Sequence, residues 1–311
     1  MLVFRTIPVQ ATTSKVLTIG NFDGVHRGHQ ALLERLNAHA RSLDLPSALL
    51  TFEPSPREFF SPLQAPARLT SLREKLGLIE DSGVDQVYLC HFNAKVASLS
   101  ANDFIRNILV KGLAVRHLMI GDDFRFGKGR SGDFELLQRA GREQGFTVEM
   151  MPTIDWQGER VSSSAVREAL ENGEIEHAER LLGRAYRIAG RVMHGKKLGR
   201  QLGFPTANVQ IKRKRLPLLG VYVVTVSGIA ERPLPGAASL GVRPTLGDGL
   251  QPMLEVHLLD FDRNIYGAHV TIDFMHKLRD QAKYDSLDDL KAQIARDVEA
   301  TRNYFANRQN G

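Results

Sequence analysis

Cysteine and long apolar runs are nearly absent from this sequence. Its single cysteine, Cys90, excludes an internal disulfide. No apolar run approaches the roughly 20 residues that a membrane-spanning helix needs. The first residues also lack the charged start and the long apolar core of a signal peptide. These absences are compatible with a reducing cytoplasm, which is where we expect the protein to reside.

The sequence also lacks a strong excess of positive over negative residues. The 41 Lys and Arg residues stand against 35 Asp and Glu residues, which leaves a formal net charge of +6. This balance suits anionic ligands, but the aromatic-basic pattern of RNA-binding modules is absent. A nucleotide is enough to explain the charge. We therefore expect small-molecule ligands and no nucleic acid, membrane or obligate protein partner.

The chain of 311 residues is long for one hydrophobic core, so two domains are expected. Apolar runs first alternate with segments of helical spacing, which predicts a parallel sheet with right-handed crossovers. Later β-rich runs with glycine and proline turns predict a small antiparallel barrel with a C-terminal helix. The predicted architecture is an α/β Rossmann-like domain at residues 1–183, then the β-barrel domain at residues 184–311. The predicted strands lie at residues 16–19, 46–52, 86–90, 116–120, 146–150, 186–189, 220–226, 254–259 and 270–274, and the predicted helices include 72–80, 104–110 and 287–305.

Residues 19–30 join the first predicted strand to the first helical segment. A glycine-bearing turn of this kind binds phosphates in α/β proteins, because backbone N–H groups and the helix dipole converge there. His26 and His29 are three residues apart at the helix start and can face one ligand. No carboxylate stands at metal-ligand spacing, so phosphate contact is a better interpretation than zinc. A plain turn with surface histidines is the alternative.

The same stretch resembles the GxFDGxHxGH signature of the nucleotidyltransferase superfamily, in the version found in prokaryotic FAD synthetases. The resemblance implies a catalytic role for His26 and His29. They would steady the triphosphate and the charge that develops at the α-phosphorus during adenylyl transfer. It also implies that the loop binds the nucleotide through Gly20, Asn21, Phe22, Asp23 and Gly28.

Two further loops follow predicted strands, at the sheet edge where such folds bind ligands. The prolines of residues 51–60 predict a rigid, non-helical loop that either turns the chain or serves the site. This loop resembles the TFxPHP segment near the family's flavin-phosphate site, with Ser55 in place of histidine. Four glycines and three cations in residues 121–132 predict a flexible, positively charged loop. It resembles the family's GxxFxFGxxRxG segment, which implies flavin binding by Asp123 and Phe124, with Asp123 where asparagine is typical.

Three consecutive serines, Ser162, Ser163 and Ser164, open a predicted helix. Serine caps and exposed N–H groups form an anion site, and Arg167 lies about one turn further on. A serine-rich cap with a surface arginine is the alternative interpretation. The segment resembles the family's ISSTxIR motif, which implies that the three serines and Arg167 hold the pyrophosphate leaving group.

Residues 190–208 are dense in glycine and cations but lack the Lys-Ser/Thr end of a Walker P-loop. Thr206 and Asn208 alternate on an extended segment, so their hard oxygen atoms face one side and suit Mg²⁺. A glycine-rich β-turn with a proline stop is the alternative. The string closely resembles the GxxxxGRxLGFPTAN signature of riboflavin kinase, which implies phosphate binding by Gly195, Lys196, Gly199 and Arg200.

Glu255 lies in a predicted strand, where a glutamate is usually a solvated or paired surface group. A carboxylate in a cleft could instead accept the proton of an attacking hydroxyl. The strand resembles the ExHxLDF segment of riboflavin kinase, whose glutamate is the catalytic base. The segment around residues 241–245 resembles the neighbouring GxxPT motif, with Arg243 where asparagine is common. The loop that contains Arg279 resembles the one that closes on the flavin.

Taken over nearly the whole chain, these motifs resemble the bacterial bifunctional riboflavin kinase/FAD synthetase family. The resemblance implies two Mg²⁺-dependent reactions: ATP phosphorylates riboflavin to FMN, and a second ATP adenylylates FMN to FAD with release of pyrophosphate. One alternative is a nucleotidyltransferase for another phosphate monoester, such as a pantetheine or nicotinamide compound. A flavin- or nucleotide-binding regulator without turnover is the second. The retained Glu255, Thr206, His26, His29 and Arg167 speak against the regulator, and the riboflavin kinase string speaks against the other transferase.

Overall fold

The computed structural model of the chain describes residues 1–195, 198–245 and 247–309. The chain divides into two units. The first unit consists of Met1–Pro66 and Leu72–Val161. The second consists of Ala67–Ser71 and the chain from Ser162 onward.

A sheet of parallel strands forms the centre of the first unit. Its order is β1-β4-β3-β2-β5-β6, and every neighbouring pair is parallel. Side chains of successive strand residues alternate between two apolar clusters, so both faces of the sheet are buried. The strands are β1 (Leu2–Phe4), β2 (Lys15–Ile19), β3 (Ser47–Glu53), β4 (Gln86–His91), β5 (Val115–Gly121) and β6 (Thr147–Met151).

Helices connect these strands, and a short hairpin follows the last of them. The helices are α1 (Arg27–Ser42), α2 (Pro56–Phe60), α3 (Leu72–Asp81), α4 (Ala94–Ala97), α5 (Ala101–Asp103) and α6 (Phe134–Gln144), with a π-helical segment at Phe104–Gly112 and a 3₁₀ turn at Lys128–Arg130. The hairpin consists of β7 (Asp155–Trp156) and β8 (Glu159–Arg160).

The strand order reverses at β2, which is flanked by β3 on one side and β5 on the other. In an open parallel sheet, the crevice beyond the carboxyl ends of the strands at such a point is the usual ligand site. The loops that leave β2 and β5 are the ones in which the histidine motif and the glycine-rich segment lie. The topology therefore directs both motifs to one edge of the sheet.

A closed antiparallel barrel dominates the second unit, with the order β10-β13-β12-β11-β14-β9. Its strands are β9 (Tyr186–Met193), β10 (Ala207–Val209), β11 (Gly220–Ser227), β12 (Leu234–Thr245), β13 (Gly247–Leu258) and β14 (His269–Arg279). Its helices are α7 (Ser163–Asn172), α8 (Ile175–Leu182), α9 (Leu198–Gln201) and α10 (Leu287–Gln309). The parallel sheet, the barrel and the C-terminal helix confirm the predicted fold class.

One local prediction was wrong, and one strand of the barrel was missed. The segment after β3 was predicted to be non-helical, but Pro56 begins α2 because the fixed φ of proline suits the first helical position. Ser55 caps this helix by accepting the Glu58 N–H, while the Glu58 carboxylate accepts the Ser55 N–H at 2.9 Å. Strand β12 was missed, because its two prolines and two glycines hide the strand pattern.

Among the described residues, no helix combines the length and the apolar character needed to cross a bilayer.

Candidate active sites

His26 and His29 meet at the N-terminus of α1. His26 is the N-cap residue, and its Nδ1 accepts the His29 backbone N–H at 3.4 Å. The two imidazole rings stack with centroids 3.7 Å apart at 19°. A ring nitrogen that accepts a hydrogen bond carries no proton, so the neutral His26 ring is protonated on Nε2. The cap therefore makes Nε2 the donor nitrogen of the neutral His26 ring.

The loop before α1 is conformationally unusual. Phe22 and Val25 have positive φ angles of 49° and 40°, although neither is glycine. Each such residue costs about 1–3 kcal/mol, and strain of this kind concentrates at functional sites. A Cβ on Gly20 would lie 2.9 Å from the Phe22 ring, and one on Gly28 would lie 3.2 Å from His26 Nδ1. These two predicted nucleotide-binding residues thus make room for the side chains that shape the loop.

Asn21 begins the strained part of this loop. Its side chain is exposed, whereas its carbonyl oxygen accepts hydrogen bonds from Lys75 Nζ at 3.1 Å and Thr51 Oγ1 at 3.4 Å. Asp23 follows two residues later and is half-buried. No motif singles out Lys75 or Thr51, because each is far along the chain from the loop residue that it contacts.

The glycine-rich segment lies in the loop after β5, and this loop folds into a turn. Phe126 and Gly132 pair across it, and a Cβ on Gly132 would lie 2.5 Å from the Phe126 ring. The Lys128 N–H donates to the Leu99 carbonyl at 2.7 Å. At the near end of the turn, Asp123 is exposed and the half-buried Phe124 stacks on Phe126 at 5.7 Å.

A cluster of four phenylalanines lies where β3 and β4 end, and no sequence motif identified it. Phe92 is central: the Phe52, Phe59 and Phe60 rings lie 5.6, 5.4 and 5.8 Å from it, all close to edge-on. Phe60 remains 65% exposed. Such an aromatic surface at the ligand-binding edge of a parallel sheet suits a planar ring. The available sequence signal was the phenylalanine content just after two predicted strands.

In the second unit, the serine motif forms the start of α7 as predicted. Ser162 is the N-cap and accepts the Ala165 N–H at 3.1 Å, while Ser163 and Ser164 occupy the first turn. Arg167 Nε donates to the Ala67 carbonyl at 2.6 Å, and its Nη1 donates to the Ser163 carbonyl at 3.1 Å. These bonds orient the guanidinium at the helix start, and pyrophosphate binding there stays a prediction.

The barrel brings Asn208 and Glu255 together. They are direct partners in the antiparallel register of β10 and β13, and Ser239 of β12 pairs with Glu255 on its other side. Opposed residues in such a ladder point to the same face with Cβ atoms about 4.5–5.5 Å apart. The flanking Leu254 and Val256 are buried, so Glu255 lies on the outer wall of the barrel.

Thr206 precedes Asn208 by two residues, and two glycines approach this pair closely. A Cβ on Gly195 would lie 2.2 Å from Asn208 Nδ2, and one on Gly199 would lie 3.1 Å from Thr206 Oγ1. His257 Nδ1 lies 2.9 Å from the Pro205 carbonyl oxygen, which ties the segment before Thr206 to β13. Of the other predicted phosphate-binding residues, Arg200 lies in α9, and Lys196 falls outside the described residues.

Two family models match this chain. The model described as FAD synthetase matches residues 9–165, and the model described as riboflavin kinase matches residues 182–305. The bifunctional riboflavin kinase/FMN adenylyltransferase of Escherichia coli (strain K12) is 51% identical over 290 residues, covering 93% of this chain and 92% of that protein. The protein of the same name from Pseudomonas fluorescens is 55% identical over 288 residues, covering 92% of each.

This chain belongs to the bifunctional riboflavin kinase/FMN adenylyltransferase family. The solved structure of a macrolide-efflux protein from Streptococcus pneumoniae shares its fold, with a TM-score of 0.83 at 30% identity, covering 97% of this chain and 99% of that one. The efflux activity is named for that protein alone. The FAD synthetase match contains the histidine motif, and the riboflavin kinase match contains Thr206, Asn208 and Glu255.

The family resemblance predicts that Arg279 lies in a loop that closes on the flavin, but Arg279 is the last residue of β14, and its side chain pairs with α10. Flavin binding by Arg279 stays a prediction. Arg279 Nη2 donates to Asp297 Oδ2 at 2.7 Å, and its Nε donates to Asp297 Oδ1 at 2.9 Å. The hydrogen bond to Asp297 raises the pKa of Arg279 against the effect of burial. Further along the loop, Gln281 Nε2 donates to Ser239 Oγ at 3.0 Å. Gln281 thus connects this loop to the cross-strand neighbour of Glu255.

Proposed function

We propose that this chain converts riboflavin to FMN in its second unit and FMN to FAD at the histidine motif of its first unit. The observation that supports this most strongly is that the two units contain chemically different polar arrangements, each suited to a phosphate. A stacked histidine pair caps a helix in the first unit. A carboxylate opposite an asparagine lies on the barrel wall in the second unit. The domain boundary at 183/184 and a cytoplasmic location remain part of this proposal.

In the kinase step, Glu255 accepts the proton of the riboflavin hydroxyl as its oxygen attacks the γ-phosphorus of ATP. A new O–P bond forms, the bond from the γ-phosphorus to the bridging oxygen breaks, and ADP leaves. Glu255 orients the hydroxyl as well as taking its proton, which is the role that phosphoryl transfer requires of a base. Because the strand holds Glu255 between Asn208 and Ser239, its position is fixed by the barrel ladder.

The donor set near Glu255 fits Mg²⁺. Hydroxyl and amide oxygens such as those of Thr206 and Asn208 are ligands that Mg²⁺ accepts together with waters and phosphate oxygens. Gly195 supports this fit, since any Cβ there would occupy the space of the Asn208 amide. When bound, Mg²⁺ would supply charge neutralisation for the transferring phosphate. Clusters of three or more His, Cys, Asp or Glu side chains that could hold a metal are absent from the described part of the chain.

In the adenylyl transfer step, a phosphate oxygen of FMN attacks the α-phosphorus of ATP and pyrophosphate leaves. No covalent bond to the protein is needed, so positioning and charge stabilisation carry the rate. His26 donates through Nε2 to the phosphate oxygens, and the start of α1 adds the positive end of its dipole. His29 is held beside them by its stack on His26 and by its contact with Phe22, at 4.7 Å between ring centroids. Ser162–Ser164 and Arg167 bind the pyrophosphate in this proposal.

The phenylalanine cluster offers a surface for the flavin ring of FMN. Aromatic faces attract a planar heterocycle without fixing a single orientation, so the nearby turn with Asp123 and Phe124 would set the orientation. Ser55, which stands where the family usually has histidine, is engaged in capping α2. Its contribution is therefore to hold the helix that carries Phe59 and Phe60.

One assay tests the proposal. The full chain is incubated with riboflavin, ATP and Mg²⁺, and the flavins are separated by chromatography over time. We expect FMN to form first and FAD to follow. Absence of both products would overturn the proposal. Formation of FMN without FAD, together with adenylylation of a pantetheine or nicotinamide phosphate, would favour the alternative transferase.

A further inference from the structure

Lys75 is a buried lysine beneath the loop that leads to the histidine pair. Only 7% of it is exposed, although lysine is seldom buried unless its charge has partners. Its Nζ donates to the Asn21 carbonyl oxygen at 3.1 Å and contacts Thr51 Oγ1 at 3.3 Å. Thr51, which is fully buried, donates to the same carbonyl oxygen at 3.4 Å. Two side chains from different elements thus converge on one backbone oxygen.

The position of that oxygen controls the next residue. The Asn21 carbonyl belongs to the planar peptide group that enters Phe22, so holding the oxygen fixes the orientation of this plane. Phe22 begins there in the left-handed region, with a φ of 49°. Its ring contacts the His29 ring, which in turn stacks on His26. A continuous series of contacts therefore runs from the Lys75 ammonium to both histidines.

Burial of the Lys75 charge costs desolvation free energy. A buried cation must be compensated by hydrogen bonds, whereas an apolar side chain of similar length would fill the same space without that cost. Helix α3 needs only an apolar residue at this position to complete its buried face, which also contains Ile79. The ammonium group adds what an apolar side chain cannot supply, a hydrogen bond to the carbonyl oxygen of the strained loop.

We infer that Lys75 is a positioning residue for adenylyl transfer: its ammonium holds the Asn21 carbonyl and so keeps His26 and His29 aligned for the reacting phosphates. The inference rests on the proposed function of the first unit. Lys75 itself stays beneath the loop and acts through the peptide group. Misplacement of a catalytic group by about 1 Å can lower a rate 100-fold, so the loss of this bond has a measurable consequence.

The chain supplies a matched control in Lys15, which is 2% exposed. Its Nζ donates to the carbonyl oxygens of Thr13 and Leu113, both at 2.8 Å. Lys15 begins β2 at the opposite end from the histidine loop. Lys15→Met and Lys75→Met both remove a buried ammonium bound to main-chain oxygen, but only the second touches the loop.

The experiment measures FMN adenylylation and riboflavin phosphorylation in the full chain for wild type, Lys75→Met, Lys15→Met and Thr51→Val. We expect Lys75→Met to lower kcat for adenylylation about 100-fold, with KM for ATP changed less than threefold. Thr51→Val should lower kcat about 10-fold, and the double variant Thr51→Val/Lys75→Met should be no worse than Lys75→Met alone, because both residues act on one oxygen. Lys15→Met should lower the melting temperature and keep kcat within twofold.

Equal kcat losses in Lys15→Met and Lys75→Met would overturn the inference, as would a Lys75→Met variant with wild-type kcat. If Lys75→Met fails to fold, Thr51→Val decides, since it removes one hydroxyl only; unchanged kcat there counts against the inference. Riboflavin kinase activity, which resides in the second unit, reports in each sample whether the chain is intact. Failure of the wild type to form FAD would contradict the proposed function and is distinguishable from either result.

Discussion

The role of a single residue in this protein depends on the neighbours that the fold places beside it. Glu255 is a half-exposed strand residue and His26 is a helix cap, and both are common situations. What makes them candidates for catalysis is the neighbour that the fold provides: Asn208 across the ladder for Glu255, and a stacked imidazole for His26. Substitutions at these positions therefore have separable effects on the two reactions.

Glu255→Gln should abolish most kinase turnover. Glutamine keeps the volume and can still form hydrogen bonds, but it cannot take up a proton at neutral pH. We expect kcat for riboflavin phosphorylation to fall by about 10²–10⁴, the usual range for a general base. Riboflavin and ADP should bind with nearly unchanged affinity in titration calorimetry, and FAD formation from supplied FMN should continue. Near-normal phosphorylation would assign Glu255 a structural role.

His29→Ala should affect the other reaction. Removing one preorganised donor at a developing charge lowers kcat by about 10²–10³, so FAD formation should fall by this factor while FMN formation continues. His39→Ala is a suitable control, because His39 lies on the same helix but its ring contacts His117, with ring centroids 3.9 Å apart. Parallel losses of both activities in His29→Ala would indicate a folding defect.

His117 should make the stability of the first unit depend on pH. Burial, and then the neighbouring His39, lower its pKa from the ordinary 6.5, while Glu149 opposes the shift. Between the lowered pKa and 6.5 the unfolded chain binds the proton more readily, so stability rises with pH and falls on acidification through this window. The slope should be at most about 1.4 kcal/mol per pH unit.

This dependence can be measured through Trp156, the sole tryptophan of the chain, which belongs to the first unit. Its ring lies 4.0 Å from the Arg27 guanidinium, so its fluorescence should change when the unit unfolds. Urea unfolding followed in this way at pH 7.5 and 5.5 should give a lower midpoint at pH 5.5. The difference should shrink in His117→Gln, and an unchanged difference would rule out His117 as the titrating group.

At the scale of elements, most strands and helices could be predicted because their signals are local. The apolar runs at residues 16–19 and 86–90, for example, lie within β2 and β4. Strand β12 could not be predicted, because its hydrogen bonds to β11 and β13 leave no pattern in its own sequence. The pairing of Asn208 with Glu255 was equally hidden, because register depends on residues far apart in the chain.

The ion pair between Arg279 and Asp297 should anchor α10 to the barrel. Asp297 is buried and faces a bidentate guanidinium, so Asp297→Asn leaves a cation without its counter-charge. We expect a loss of about 1–3 kcal/mol, below the roughly 3–5 kcal/mol of a fully buried pair, measured by thermal unfolding of the full chain. The exposed pair of Arg302 with Asp260 is the control, and Asp260→Asn should leave the melting temperature unchanged. Equal shifts in both variants would contradict the anchoring role.

At the scale of the whole molecule, α7 and α8 belong to the unit that contains the barrel. The apolar face of α8 is buried through Ile175, Ala178, Leu181 and Leu182, and its Glu176 pairs with His276 of β14 at 2.8 Å. The proposed boundary at 183/184 would separate these helices from the strands on which α8 packs. The boundary of the activities and the boundary of the fold can therefore differ.

Two fragments test this difference. One begins at Ser162 and the other at Arg184, and both contain the kinase residues. The longer fragment should phosphorylate riboflavin, form no FAD, and melt at least about 5 °C above the shorter one, because it keeps the apolar contacts of α8. Calorimetry and a kinase assay on both would decide. Equal melting temperatures and activities would show that the barrel does not need α8.

The outward direction of Glu255 has a consequence for how this protein tolerates change. Along β13, Leu254, Val256 and Leu258 fill the barrel, while Glu255 and His257 alternate with them on the wall. We therefore expect stability to depend on the buried positions of this strand and turnover on the wall positions between them. In a saturation library scored for protein abundance and for turnover, substitutions at 254, 256 and 258 should mainly lower abundance. Substitutions at 255 and 257 should mainly lower turnover. Substitutions at the wall positions can then change substrate preference while the side chains inside the barrel stay the same.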